Sequence, residues 1–186
     1  RFHRAHPKVS VRVVDPERGP AVAQMVAAGE CELGLVDASV PTADLSGIDL
    51  PEQEMHVVLP ADHPHPAGDT ITSPQLAALD LIVTPPGTET RAAVDDVCTA
   101  LGVAPRIAVE TAHRAMIVPL VLSGVGAAVL PASMARDAAL RGARMLSQRP
   151  RLLRHGRLVW RSGQLSPAAE AFVNLGSEPA RDGRTQ

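Results

Sequence analysis

A short turn offers the clearest ligand-binding chemistry in this sequence. The apolar run Leu81-Ile82-Val83 leads into Pro85-Pro86-Gly87-Thr88-Glu89-Thr90-Arg91, and a segment of helical periodicity, Ala92 to Leu101, follows. A strand that enters a helix through a Gly/Thr turn leaves backbone N–H groups and hydroxyls free at the helix N-terminus, where they attract an anion. The turn from Pro85 to Arg91 is therefore predicted to form one wall of a ligand site.

Within this turn, Thr88 and Thr90 are candidate hydroxyl contacts to a carboxylate or similar anion. Gly87, which follows Pro86, would allow the backbone to approach the anion closely. Simple helix capping is the alternative for the threonines, because an N-cap threonine accepts a hydrogen bond from the first amides of its own helix. Both roles stay open, and they can hold for different threonines.

Arg91 is a candidate partner for an anionic effector, since a guanidinium makes bidentate contacts with carboxylates. It could equally form a structural salt bridge with Glu89, Asp95 or Asp96, which lie close in sequence. The sequence favours the structural role.

Two further candidates follow predicted strands directly. Asp37 ends the run Glu32 to Val36, and Thr111 ends the run Arg106 to Glu110. Open α/β sheets bind ligands at the carboxyl ends of their strands, so both residues are predicted to face the turn that contains Gly87 and Thr90. An aspartate at a strand end is also a common turn residue, which is the alternative for Asp37.

Other chemistry finds less support. His56, His63 and His65 have no cysteine or carboxylate cluster at metal-ligand spacing, so no metal is expected. Gly124-Val125-Gly126 follows a helix and enters a strand, the reverse of a dinucleotide-binding turn. No Ser/His/Asp or paired-carboxylate arrangement emerges, and Ser166-Pro167 reads as a helix start. We therefore expect a binding protein without catalytic residues and without a cofactor.

Composition narrows the class of partner. The 186 residues include 18 basic and 20 acidic side chains, with a formal net charge of −2, which does not favour a nucleic-acid-binding surface. No apolar run approaches the roughly 20 residues of a membrane-spanning helix, and no secretory signal is present, so a cytoplasmic location is expected. Cys31 and Cys98 lack CxxC spacing and are expected to be unlinked buried thiols.

Strand-like and helix-like segments alternate along the chain, which predicts an α/β fold with a mostly parallel sheet. A first βαβ unit is expected from the alternating stretch Val9–Val13, a helix after Pro20 and the strand Glu32 to Val36. The remaining predicted strands lie near residues 55–59, 81–84, 106–110, 127–130, 144–146 and 157–161. The remaining predicted helices lie near residues 73–77, 92–101, 113–123, 133–140 and 166–175, with the third of these kinked by Pro119.

Several short motifs occur in a fixed order. They are Phe2 with His6-Pro7, Gly29-Glu30-Cys31-Glu32-Leu33-Gly34-Leu35, Leu59-Pro60 before His63-Pro64, Gly87-Thr88-Glu89-Thr90-Arg91, Glu110-Thr111, Ser123-Gly124-Val125-Gly126-Ala127-Ala128-Val129-Leu130-Pro131, and Leu165-Ser166-Pro167-Ala168-Ala169. Their order resembles the effector-binding domain of LysR-type transcriptional regulators over roughly Phe2 to Leu175.

The resemblance implies two Rossmann-like subdomains of the periplasmic-binding-protein type, with a small-molecule effector, expected to be an anion, bound in the cleft between them. The first subdomain would comprise residues 1–60 and 153–176, and the second residues 61–152. Residues 177–186 are expected to form a disordered tail because they are polar and contain Gly and Pro.

The same resemblance implies partners beyond the effector. The family binds DNA through an N-terminal helix-turn-helix, which this sequence does not contain, and the family's first strand is missing as well. Homodimers or tetramers are implied for the full-length protein. A solute-binding protein of a transport system has the same architecture and is the alternative function.

Overall fold

The computed structural model describes residues 1–16, 19–64, 68–163 and 165–177. The chain forms two compact units, one from Arg1–Glu52 with His155–Gln186 and one from Gln53–Arg154. Residues 53–59, which our prediction assigned to the first subdomain, lie in the second unit because their strand pairs with two other strands there. The predicted disorder beyond Ser177 falls outside the described residues.

Helices and strands alternate from β4 to β8, and the α/β class that the sequence predicts is confirmed. The helices are α1 (Phe2–Ala5), α2 (Gly19–Ala28), α3 (Ser73–Ala77), α4 (Glu89–Ala100), α5 (Ile117–Leu122), α6 (Ala132–Leu140) and α7 (Pro167–Ser177). The strands are β1 (Gly34–Asp37), β2 (Leu45–Asp49), β3 (Gln53–Leu59), β4 (Thr70–Thr72), β5 (Asp80–Val83), β6 (Arg106–Glu110), β7 (Ala128–Pro131), β8 (Arg144–Arg154) and β9 (Gly156–Arg161).

The first unit contains a three-stranded sheet in the order β1-β9-β2. Both pairings are antiparallel, with Leu158 of β9 opposite Leu35 of β1 and Ile48 of β2. Strand β2 forms in a stretch for which we predicted no strand, and it pairs with the edge of β9 that β1 leaves free. Helix α2 packs on β1 and β9 and buries Ala23 and Val26.

The predicted strand Val9–Val13 does not form, so the prediction of a parallel βαβ unit at the N-terminus is wrong. The segment has no strand partner among the described residues of its unit, and Val11 and Val13 are 57% and 86% exposed. Its period-two pattern is present, but none of the described strands pairs with it. The strand that would have followed, β1, pairs antiparallel with β9 instead.

Helix α7 turns a different face inward from the one we predicted. Helical spacing after Ser166 predicts Ala168, Phe172 and Leu175 as core residues. In the structure, Ala169 and Val173 are the buried ones. Phe172 is 38% exposed, and its ring packs edge-on against that of Phe2 with the centroids 5.2 Å apart. The helix is thus rotated by about one residue relative to the prediction.

The second unit contains a mixed sheet rather than the mostly parallel one we predicted. Strands β4, β8, β3 and β7 are neighbours in that order, and β5 pairs with β6. The β3–β7 and β3–β8 pairings are antiparallel, whereas β4–β8 and β5–β6 are parallel. The two parts meet where Leu81 of β5 bridges to Ala127 in parallel orientation.

This junction depends on a glycine. The Ala127 amide donates to the Asp80 carbonyl at 2.9 Å, and the Ile82 amide donates to the Ala127 carbonyl at 2.7 Å. A Cβ on Gly126 would lie 2.5 Å from the Asp80 carbonyl oxygen, a distance that side-chain carbons do not tolerate. Gly126 is therefore not a nucleotide-binding residue; it allows the backbones at Asp80 and Ala127 to approach each other closely.

Helices cover both faces of this sheet. Along β5, Leu81 and Val83 pack with α3 and α4, whereas Ile82 packs with α5 and α6 on the opposite face. The same alternation occurs in β3, where Val57 and Val58 belong to different clusters, and all five residues are at most 2% exposed. Strands buried on both faces read as continuous apolar runs, which explains why the sequence located them correctly.

The predicted kinked helix around Pro119 is instead two elements. A 3₁₀ turn, Arg114–Met116, precedes α5, and Pro119 is the third residue of α5. The missing N–H of a proline costs no hydrogen bond in the first turn of a helix, because the amides there have no helical acceptor. Pro119 thus helps to define a helix start.

Both cysteines are free, but only Cys98 is fully buried, whereas Cys31 is half-buried. Burial raises the pKa of the Cys98 thiol, and the Asp95 carboxylate raises it further. Within the part of the chain that the structure describes, none of the helices is both long enough and apolar enough to cross a bilayer.

We predict that Gly126→Ala lowers the free energy of unfolding by about 1–3 kcal/mol, because the added methyl group pushes the β5 and β7 backbones apart. Urea unfolding followed by circular dichroism measures the loss. Gly176→Ala is the matched control: its Cβ would meet only ordinary contacts, at 3.9 Å or beyond, and should leave stability unchanged or slightly raised. Equal stability of the two variants would contradict the close approach.

We also predict that iodoacetamide labels Cys31 at least about tenfold faster than Cys98 in the native protein, since only an accessible thiolate reacts. Mass spectrometry of tryptic peptides gives both rates. In denaturant the two labelling rates should converge. A fast reaction of Cys98 in the native protein would contradict the burial of this side chain beneath α4.

Candidate functional site

The turn between β5 and α4 is held by one left-handed residue and a buried threonine. Gly87 has φ +85°, a conformation that other residues adopt only with strain, although an added Cβ would meet nothing within 4 Å. Thr88 is the N-cap residue of α4 and is 5% exposed. Conformation, and not space, therefore requires glycine at this position.

The Thr88 hydroxyl is engaged inside the turn. It donates to the Pro85 carbonyl at 2.8 Å. The Thr84 hydroxyl lies within hydrogen-bond distance of the Thr88 hydroxyl oxygen. Because a hydroxyl has only one proton to donate, the Thr84 hydroxyl must be the donor in the threonine pair. The Thr88 side chain makes no capping bond to α4, so its observed role is to hold the turn.

Open donors remain at the start of α4. The first helical hydrogen bond runs from the Ala92 amide to the Thr88 carbonyl at 3.0 Å, and the amides of Thr90 and Arg91 find no acceptor among the described residues. Thr90 is half-buried, and its hydroxyl has no partner within the described part of the chain. Amides and a hydroxyl at a helix N-terminus favour negative charge.

Arg91 forms the structural salt bridge that the sequence favours. Its Nε donates to both Asp95 carboxylate oxygens at 2.9 and 3.1 Å, and one terminal nitrogen donates to Glu110 at 2.9 Å. The hydrogen bond to Asp95 is the main reason why the pKa of Arg91 is raised, with Glu110 adding to it against desolvation. Arg91 therefore ties α4 to the end of β6.

Thr111 lies beside the turn at the end of β6. Its amide donates to the Val83 carbonyl at 2.9 Å, and its hydroxyl oxygen accepts from the His113 amide at 3.1 Å. The hydroxyl proton of Thr111 finds no acceptor among the described residues. Since β5 and β6 are parallel, their carboxyl ends lie at one edge of the sheet, which brings Thr111 and the α4 start together.

Asp37 lies in the first unit, at the end of β1. One of its carboxylate oxygens accepts hydrogen bonds from the amide and the hydroxyl of Ser39, and the Asp37 carbonyl accepts from the Val40 amide. This is the turn role that the sequence left open as an alternative. That Asp37 faces the Gly87 turn stays a prediction.

Two residues of this edge were not predicted as site residues. Thr84 supports Thr88, and Glu110 is the second partner of Arg91. A signal for Thr84 exists in the sequence, because a threonine that directly follows a buried strand must find a hydrogen-bond partner. The pairing of Glu110 with Arg91 needs the β5–β6 register and has no local signal. Among the described residues, no group of three or more His, Cys, Asp or Glu side chains is arranged for a metal ion.

We predict that Thr88→Val lowers the free energy of unfolding by about 1–3 kcal/mol, because it leaves the buried Thr84 hydroxyl without its acceptor. Thr90→Val is the matched control and should change stability by less than about 0.5 kcal/mol. Thermal and urea unfolding measure both. Comparable losses in the two variants would contradict the separation of a structural threonine from an open one.

Comparisons with known proteins agree with this architecture. The family model of the LysR substrate binding domain matches residues 1–178. The uncharacterized HTH-type transcriptional regulator YybE of Bacillus subtilis (strain 168) is 24% identical over 172 residues, which are 92% of this chain and 58% of that protein.

Two solved structures resemble the chain at low identity. The regulatory domain of Synechocystis PCC6803 CcmR, in complex with 2-PG, has a TM-score of 0.78 and 21% identity and covers 94% of this chain and 85% of that one. The effector binding domain of QuiR, in complex with shikimate, has a TM-score of 0.73 and 21% identity and covers 86% of this chain and 78% of that one.

The structural likeness shows a shared fold, and the chain spans 58% of the length of its curated relative. The family model covers the strands, the turn at Gly87 and the end of β6 together. The resemblance seen in the order of the motifs is thus confirmed, and the chain belongs to the LysR substrate binding domain family.

Proposed function

We propose that this chain is the part of a transcriptional regulator that binds a small-molecule effector. The observation that supports this most directly is the match of residues 1–178 to the LysR substrate binding domain. Two proteins of the same fold have been solved with shikimate and with 2-PG bound. The family match favours regulation over the transport alternative, which has no support of its own.

The proposed effector is a small carboxylate that meets the start of α4. Donors without an acceptor among the described residues are concentrated there: the amides of Thr90 and Arg91, the Thr90 hydroxyl and, across the strand pair, the Thr111 hydroxyl. Gly87 and Pro86 would line the approach, and Asp37 is proposed as a contact from the first unit.

Thr88 and Arg91 enter this proposal as supports. The Thr88 proton is already donated to Pro85, and the Arg91 charge is already balanced by two carboxylates. An anion at this site would therefore depend on backbone dipoles and the two open hydroxyls rather than on a free guanidinium. A contact between the effector and either residue would require one of these bonds to open.

The remaining parts of the function concern the full-length protein. We propose that it binds DNA through an N-terminal helix-turn-helix, assembles as a homodimer or tetramer and acts in the cytoplasm. Such a protein would bind its effector without transforming it, and neither a cofactor nor a metal ion is part of the proposal. The test of regulation is a DNA-binding assay of the full-length protein, in which the effector should change the affinity or the length of the footprint.

We predict that a panel of small carboxylates contains at least one compound that raises the melting temperature of the chain. Ligand that binds only the folded state stabilises it by about 2.7 kcal/mol at a concentration of 100 Kd. Matched amides of the same compounds should have little effect, because they carry no negative charge for the α4 amides to attract.

With a compound from that panel, we predict that Thr90→Val and Thr111→Val each weaken binding about tenfold or more, as expected for the loss of a hydrogen bond to a charged group worth about 1.5–3 kcal/mol. Isothermal titration calorimetry gives the dissociation constants. Thr99→Val, on the exposed far end of the same helix, is the control and should bind like the parent protein. Unchanged binding in both site variants would place the effector elsewhere.

A further inference from the structure

Gln148 is a buried amide with one open hydrogen-bonding atom. It is 1% exposed, and its Nε2 donates to the Ser73 hydroxyl oxygen at 3.0 Å. Its Oε1 is shielded from solvent and finds no hydrogen-bond partner among the described residues. Buried polar atoms are nearly always paired, because an atom that loses water without gaining a partner destabilises the fold. The open Oε1 therefore points to a partner from outside the chain.

Ser73 completes a polar pair with Gln148. The Ser73 hydroxyl oxygen accepts from Gln148, and its proton finds no acceptor within the described part of the chain. The start of α3 does not need this hydroxyl, since the amide and the hydroxyl of Thr72 both donate to Gln75 there. If the Gln148 amide is rotated by half a turn, Ser73 donates to Oε1 and Nε2 becomes the open atom. In both orientations the pair offers one donor and one acceptor.

This pair lies at the same edge of the sheet as the Gly87 turn. β4 is parallel to β8, β3 is antiparallel to both β8 and β7, and β5 bridges in parallel to Ala127 just before β7. β4, β8, β7 and β5 thus run in one direction, and their carboxyl ends share an edge. Ser73 follows β4 directly, and Gln148 is paired with the central residue of that strand.

Helices α3 and α4 both begin at this edge and cover the same face of the sheet. They pack against each other, and Leu76 of α3 and Val94 of α4 belong to one core cluster. The axes of packed helices lie about 8–10 Å apart. Ser73 at the start of α3 and Thr90 at the start of α4 are therefore close enough for one small molecule to reach both.

We propose that the Gln148–Ser73 pair binds a hydroxyl group of the effector. A hydroxyl group both donates and accepts, so it satisfies the open atom of Gln148 and the Ser73 hydroxyl together. An ammonium group has no acceptor and a carbonyl oxygen has no donor, so each would satisfy only one of the two. The inference rests on the proposed carboxylate site at α4 and makes the effector a hydroxy carboxylate.

The separation of the two helix starts limits where the hydroxyl lies on the effector. A hydroxyl on the carbon beside the carboxylate is too close to that group to span the distance between two packed helices. The hydroxyl is therefore expected several bonds away from the carboxylate.

The first test needs no ligand. Gln148→Met keeps a side chain of similar length and removes the open polar atom, so the melting temperature should stay unchanged or rise. Gln24→Met, at an exposed position of α2, is the control for the exchange itself. A melting temperature more than about 4 °C below that of the control would make Gln148 a structural residue and overturn the inference.

The second test is isothermal titration calorimetry with pairs of carboxylates that differ by one hydroxyl. The pairs are lactate with propionate, γ-hydroxybutyrate with butyrate, δ-hydroxyvalerate with valerate, and m-hydroxybenzoate with benzoate. In the parent chain the hydroxyl should strengthen binding at least about tenfold in one or more of the last three pairs, but not in the lactate pair. Gln148→Met and Ser73→Ala should each remove this gain and leave binding of the compound without the hydroxyl unchanged.

The outcomes separate this inference from the proposed function. A gain that Gln148→Met abolishes and Gln24→Met preserves supports the pair as the hydroxyl site. Carboxylates that bind equally well with and without a hydroxyl, or a gain that survives Gln148→Met, overturn the role of Gln148 while the site at α4 stands. A chain that binds none of these compounds also overturns the inference, and the wider carboxylate panel then decides the proposed function separately.

Discussion

The second unit depends on the close approach of two backbones at Gly126. The paired bonds between Asp80, Ile82 and Ala127 join β5 and β6 to the other strands, and only a residue without a Cβ fits beside the Asp80 carbonyl. This junction sets where the carboxyl end of β5 lies, and therefore where the Gly87 turn and α4 begin. The position of the candidate site thus depends on Gly126, a residue outside the site.

Buried strands were predictable from the sequence because an uninterrupted apolar run identifies them without any knowledge of the strands they pair with. Leu81 to Val83 and Val57 to Leu59 are apolar without interruption, and both form strands covered by helices on two faces. Pairing was less predictable, since a strand's direction and neighbours depend on residues far away along the chain. Val9–Val13 shows the limit: the alternation is correct for a strand, but none of the described strands of its unit pairs with it.

The local structure of the Gly87 turn was predicted more successfully than the roles of its side chains, and the ligand site itself stays a prediction. Gly and Thr after a strand correctly indicated a helix start with open amides, and Arg91 was correctly assigned to a structural salt bridge with Asp95. The local sequence could not show that Thr88 holds the turn while the Thr90 hydroxyl stays open. This difference depends on the hydrogen bond that Thr88 donates to the Pro85 carbonyl and on the contact of Thr88 with Thr84 at the strand end. Glu110 reaches Arg91 only through the register of two parallel strands.

The position of β9 has a consequence for synthesis of the chain. β9 is the central strand of the first unit's sheet, and β1 and β2 both pair with it, although they precede it by more than a hundred residues. The second unit, in contrast, is one continuous stretch from Gln53 to Arg154. On the ribosome, where chains emerge at about 5–20 residues each second, the inserted unit can complete its core first. The N-terminal unit must wait, with β1 and β2 unpaired, until its central strand has been translated.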